Sequence, residues 1–138
     1  MLFYPKEKEL YERKKTTITE SELTYGELSY ASLEKAMSHT KIIPKSIFLD
    51  LGCGKGKLIF YVHKRYKIRS VGVDIIPSYI RFANAIVKKH TITGVKFVEK
   101  DFFKARFSRV SHVLISTTCF SKARLIQLKQ KLKHLVKG

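Results

Sequence analysis

Four short apolar runs alternate with stretches of helical period across most of this chain. The runs are Ile47–Leu51, about Arg69–Asp74, Val95–Val98 and Ser111–Ser116, each short enough for a strand. Between the first two, Leu58, Ile59 and Val62 recur at helical spacing. Between the second and third, Pro77 opens a helix whose residues 78–90 carry Tyr79, Phe82, Ala83, Ile86 and Val87 on one face. Gly94 ends that connection. Leu125, Leu128, Leu132 and Leu135 then form a last stripe with lysines opposite. Ahead of the strands, Leu33, Ala36 and Met37 predict a helix ending near Thr40, before Pro44 and Lys45 turn the chain into the first run.

The order reads β-α-β-α-β-α-β-α with an extra helix in front, the third crossover being short and irregular. Right-handed crossovers predict an all-parallel sheet in the order 3-2-1-4. The fold class is therefore α/β, a Rossmann-like parallel sheet flanked by helices. Residues 1–21 read as a polar helix and loop, and residues 22–138 as the domain proper.

The first run ends in Asp50-Leu51-Gly52-Cys53-Gly54-Lys55-Gly56. Glycines at such a strand-to-helix turn let backbone approach a ligand at the carboxyl edge of an open sheet. Lys57 stands where a dinucleotide site would have its third glycine. An ordinary turn would also accept a glycine triplet. Eighteen residues after Gly56 the second run ends in Asp74, the interval that one helix and a return strand need. A carboxylate at that neighbouring tip can accept from both hydroxyls of a ribose.

At 138 residues the chain holds one domain. Its net charge of +17 is unevenly spread. Seven of the eleven acids lie at or before Glu34, and only Asp50, Asp74, Glu99 and Asp101 follow. Such a balance fits an acidic or nucleic-acid partner, and equally a solvated lysine-rich surface. Cys53 and Cys119 form no disulfide framework and suit a reducing, cytoplasmic setting. No apolar run reaches the length of a membrane span, and no set of cysteines and histidines has metal-ligand spacing.

The glycine triplet after Asp-Leu resembles the first motif of class I methyltransferases, which bind S-adenosyl-L-methionine. With Thr24-Tyr25-Gly26-Glu27 ahead of a helix, Gly72-Val73-Asp74, and Lys100-Asp101-Phe102, the pattern resembles the non-SET histone-lysine methyltransferases, the disruptor-of-telomeric-silencing family. A lysine methyltransferase group acting on a mitochondrial ATP synthase subunit looks like a second relative. The resemblance implies a protein-lysine acceptor. It places Asp50 near the methionine amino group and Gly52, Gly54 and Gly56 under the cofactor. Asp74 would hold the ribose, Asp101 the adenine amino group and Phe102 the ring face, while Tyr25 and Glu27 would cover the methionine portion. Helix capping is the plainer role for Asp101, and a first-turn charge for Glu27. Where the family has paired asparagines this chain has Thr117 and Thr118, and no Asn-Pro-Pro-Tyr motif is present. A seven-stranded class I sheet would continue beyond Gly138, so the chain reads as a truncated form. RNA or small-molecule methylation, or an inactive cofactor-binding remnant, are the competing readings.

Overall fold

The computed structural model describes residues 28–116 and 120–135. The polar segment 1–21, Tyr25 and Glu27, and Thr117 to Cys119 lie outside the described residues. Helix α1 (Tyr30–Ser38) leads into strand β1 (Ile47–Leu51), and α2 (Lys57–Tyr66) returns the chain to β2 (Arg69–Asp74). Helix α3 (Pro77–Lys89) leads to β3 (Val95–Glu99), followed by β4 (His112–Ile115) and α4 (Lys122–Leu135). The four strands are parallel in the order β3-β2-β1-β4, as the crossover rule predicts. The third crossover contains a turn and no helix.

Strand alternation divides the core into two faces. On one, Phe48 and Phe97 pack with Leu33 and Met37 of α1, Leu58, Ile59 and Val62 of α2, and Ile80 and Ala83 of α3. On the other, Leu49, Leu51 and Val73 meet Val98, Phe102, Phe107, Val110 and Ile115. Full burial of side chains such as Phe48, Leu49 and Ile59 contributes roughly 1.5–3 kcal/mol each.

Two helix faces differ from the pattern read in the sequence. In α3 the buried residues are Tyr79, Ile80 and Ala83, while Phe82 is 51% exposed. Ile80 borders the stripe set by Tyr79, Ala83 and Val87, about 60° from its centre; Phe82 falls about 100° from that centre on the other side. In α1, Leu33 and Met37 are buried and the small Ala36 faces solvent.

Local chemistry sets the helix ends. Ser29 caps α1, its Oγ accepting from the Ser32 N–H at 3.1 Å. Glu34 then fastens α1 to α2, accepting from the hydroxyls of Tyr61 at 2.6 Å and Tyr66 at 2.9 Å. Those two bonds, ahead of the Arg65 charge, hold the Glu34 carboxyl below its usual range. Tyr30 stacks on Tyr61 with ring centroids 4.4 Å apart. On α4, Leu128 is buried, and Lys131 Nζ donates to the carbonyls of Phe103 and Ala105. That lysine anchors the turn after β3.

Gly72 sits opposite Phe97 in the β2–β3 register. A Cβ there would lie 2.7 Å from Cys53 Sγ and 2.8 Å from Phe97 Cδ1. Gly72→Ala is therefore expected to lose about 1–3 kcal/mol in chemical denaturation. The double variant with Phe97→Leu should show a favourable coupling energy. Strict additivity of the two substitutions would contradict this packing.

Candidate active site

Parallel strands bring the tips of β1 and β2 together, and backbone bonds lock them. The N–H groups of Gly52 and Cys53 both donate to the Val73 carbonyl, at 2.8 and 3.0 Å. Asp74 completes the lock: its Oδ2 accepts from Gly54 N–H at 2.8 Å and its Oδ1 from Ile76 N–H at 2.9 Å. One carboxylate thus ties the glycine bend to the start of α3, whose N-terminus has no capping side chain of its own. A carboxylate has acceptor sites for about four donors, so this anchoring is compatible with a ligand-facing role as well.

Asp50 differs from its neighbour. It is 6% exposed, and no donor among the described residues hydrogen-bonds its side chain. Burial, and then the nearby Asp74 charge, push its carboxyl up to about 7. The same burial and the same two carboxylates push the Cys53 thiol up, which makes it inert packing for the bend.

The glycines divide the work. Gly52 has a φ of 87°, in the left-handed region, and a Cβ added there would meet nothing within 4 Å. Among the described residues nothing crowds the bend on that side. Gly56 has the same φ, but its Cβ would lie 2.5 Å from Phe97, so this glycine serves the protein's own packing. Gly56 is also the N-cap of α2 and offers no side-chain cap, leaving that helix's positive end at the bend.

The other predicted residues lie along the same edge. Asp101 follows β3 directly, and its Oδ1 accepts from Phe103 N–H at 2.9 Å in a tight side-chain turn. No helix follows, so this is a turn contact and not the helix cap read in the sequence. Phe102 packs against the Leu49, Leu51 and Val73 face, its ring 4.6 Å from Phe103 and 6.0 Å from Phe120. Two participants went unnoticed in the sequence. Lys55, within the bend, lies 5.6 Å from the Tyr79 ring and 5.7 Å from that of Phe82. Phe97 fills the hollow between Gly56 and Gly72, a role visible only once the strand register is known. Among the described residues no group of three or more acids, histidines and cysteines could hold a metal ion.

This donor set fits an adenosyl amino acid. Among the described residues the Asp50 carboxylate has no hydrogen-bond partner and suits an ammonium, the uncapped α2 N-terminus suits a carboxylate, and nothing crowds Gly52.

Comparison with known proteins agrees. The sequence model of one family, described as a methyltransferase domain, matches residues 44–135. A protein-lysine N-methyltransferase of Saccharolobus islandicus is 31% identical over 83 residues, 59% of this chain and 52% of that protein. A histone-lysine N-methyltransferase, H3 lysine-79 specific, of Cryptococcus neoformans is 37% identical over 60 residues, 44% of this chain and 9% of that protein. The chain thus matches about half of the first relative's length and a small part of the second's. An RNA methyltransferase from Salinibacter ruber, solved with S-adenosyl-L-homocysteine, superposes with a TM-score of 0.62 over 76% of this chain and 71% of its own at 21% identity. That similarity is one of fold.

The Asp50 environment sets a sign for stability. Its folded value of about 7 lies above the ordinary 3.8, so the folded chain binds more protons between those limits. Stability contributed by this group is present below about pH 4 and lost as pH rises through 7. The penalty at pH 8 is on the order of 4 kcal/mol. Asp50→Asn is expected to raise Tm by several degrees at pH 8 and to leave it nearly unchanged at pH 4. Equal effects at the two pH values would contradict the orphaned carboxylate.

Proposed function

The chain belongs to the methyltransferase-domain family, and from that premise we propose that it transfers a methyl group from S-adenosyl-L-methionine to a protein lysine. The observation that carries the cofactor assignment is the buried, unpartnered Asp50 beside the bare backbone at Gly52. The lysine acceptor is supported by the two partial relatives, both lysine methyltransferases. A cytoplasmic setting is in keeping with Cys53 as a buried free thiol. No helix among the described residues is long and apolar enough to cross a membrane.

When bound, the cofactor supplies a sulfonium methyl group for in-line displacement. The chain's residues bind and orient. Asp50 takes the ammonium of the amino-acid portion, and the α2 N-terminus takes its carboxylate. Gly52 and Gly54 keep side chains out of that space, while Asp74 holds the bend rigid and offers acceptor sites to the ribose. Asp101 and Phe102 flank the base, with Lys131 holding their turn in place. Tyr25 and Glu27 are assigned the methionine side by motif alone.

A lysine acceptor must arrive neutral, which a dry channel achieves by desolvation. The described histidines support this economy of catalytic groups. His39, His63, His90 and His112 all lie at the opposite, amino-terminal edge of the sheet, at helix ends or at the start of β4. None stands near the glycine bend to act as a base.

Calorimetric titration with S-adenosyl-L-homocysteine tests the cofactor assignment. The parent chain is expected to bind, and Asp50→Asn to weaken binding at least tenfold, about 1.4 kcal/mol. Absence of heat from the folded parent, or an unchanged affinity in the variant, would contradict it. For the acceptor, radiolabelled methyl from the cofactor should appear on lysine after hydrolysis of a labelled protein mixture. Label confined to RNA or to small molecules would overturn that part.

A further inference from the structure

The acids of this sheet are sorted to one edge, where Lys55, Lys57, Lys100, Lys104 and Arg106 accompany them. Asp50, Asp74, Glu99 and Asp101 all stand at or just beyond the carboxyl ends of β1, β2 and β3. The amino-terminal edge, made by residues 39–46, 67–69, 90–94 and 109–111, contains no acid at all. Its exposed side chains include Lys41, Lys45, Lys67, Arg69 and Arg109. None of these five forms an ion pair or side-chain hydrogen bond among the described residues.

Cations in the last turns of α2 and α3, such as Lys64, Lys88 and Lys89, offset the helix dipoles. Lys41, Lys45, Arg69 and Arg109 lie outside every helix, so that explanation does not reach them. Lys67 and Arg109 also hold left-handed backbone, with φ of 56° and 60°, where glycine would be less strained. A long cationic side chain occupies each position instead.

A second, independent feature lies on the same edge. A shallow cavity of about 470 Å³ is lined by Thr40, Lys41, Ile43, Ser46, Ser111 and His112. The Nδ1 atom of His112 is shielded from solvent and has no hydrogen-bond partner among the described residues. The exposed Lys41 ammonium and Ser111 hydroxyl are donors suited to phosphate oxygens, whereas the Thr40 hydroxyl already donates to the Met37 carbonyl.

We propose that the amino-terminal edge of the sheet is a docking surface for the phosphate backbone of a nucleic acid, on the side of the domain away from the glycine bend. Among the described residues no aromatic platform accompanies the cations, and Ile43 is an exposed large apolar residue of this edge. Readout is therefore of charge and not of base sequence. The surface is separate from the methyl-transfer site and does not depend on which acceptor that site uses.

Fluorescence anisotropy with a labelled mixed-sequence RNA strand and a DNA duplex of equal length tests the proposal across a salt series. The folded parent should bind both, with log K falling against log salt at a slope steeper than about −2. Lys67→Glu/Arg69→Glu and, separately, Lys41→Glu/Lys45→Glu should each make the slope shallower by about two and weaken low-salt binding at least tenfold. Lys129→Glu, on the exposed face of α4, should change the slope by less than one. Melting curves confirm that each variant is folded. If both folded edge variants keep the parent's slope, if Lys129→Glu matches either of them, or if polyglutamate competes as well as RNA, the proposal fails.

Discussion

A single carboxylate holds this domain's ligand edge in shape. Asp74 accepts the Gly54 N–H with one oxygen and the Ile76 N–H with the other, so two loops that close separate βα units become one rigid rim. Buried N–H groups need partners, and glycine-rich backbone supplies none from its own side chains. Without Asp74 the bend would keep its bonds to the Val73 carbonyl and the Gly56 N–H to Cys53 carbonyl bond, but nothing would tie it to the start of α3. The openness at Gly52 depends on that rigidity, since bare backbone that could collapse would fill its own hollow. Phe97 supports the bend from below, its ring against Gly56 and Gly72.

The stability of the rim is obtained at the expense of its neighbour. Asp50 is buried on the same edge with no donor among the described residues, close enough to Asp74 to be raised further by it. A core designed only for stability would place a neutral residue there. Retaining the acid makes physical sense if a cation is to share the site, because the carboxylate's lost hydration is then replaced by a partner. The rest of the molecule follows the same polarity. Acids of the sheet collect at its carboxyl edge, and the other edge carries lysines and arginines without acids among the described residues.

Much of this was legible in the sequence. The strand-bend-helix unit is local, and Asp50, Gly52 and Asp74 declare themselves by spacing and by the length of one crossover. Strand order followed from handedness alone. Harder to see were features that depend on register or rotation. Phe97 matters because it pairs with Gly72 across two strands, a relation no linear pattern contains. Phe82 read as core because it is aromatic and roughly in period, yet Ile80 takes the buried arc. Asp74's bonds to Gly54 and Ile76 were hidden behind its expected ligand role, since one-dimensional spacing places a carboxylate without revealing which donors it meets. The exclusion of acids from one edge likewise appears only when four distant loops are brought side by side.

The central claim is that Asp50 awaits a cation from the bound cofactor. Carboxyl-carbon NMR of the aspartates, assigned with Asp50→Asn, reports the titration of this one group directly. Without ligand the account predicts a midpoint near 7, and with saturating S-adenosyl-L-homocysteine a fall of more than one pH unit toward the ordinary aspartate range. A midpoint that stays where it was on saturation, or an ordinary value in the free protein, would contradict it.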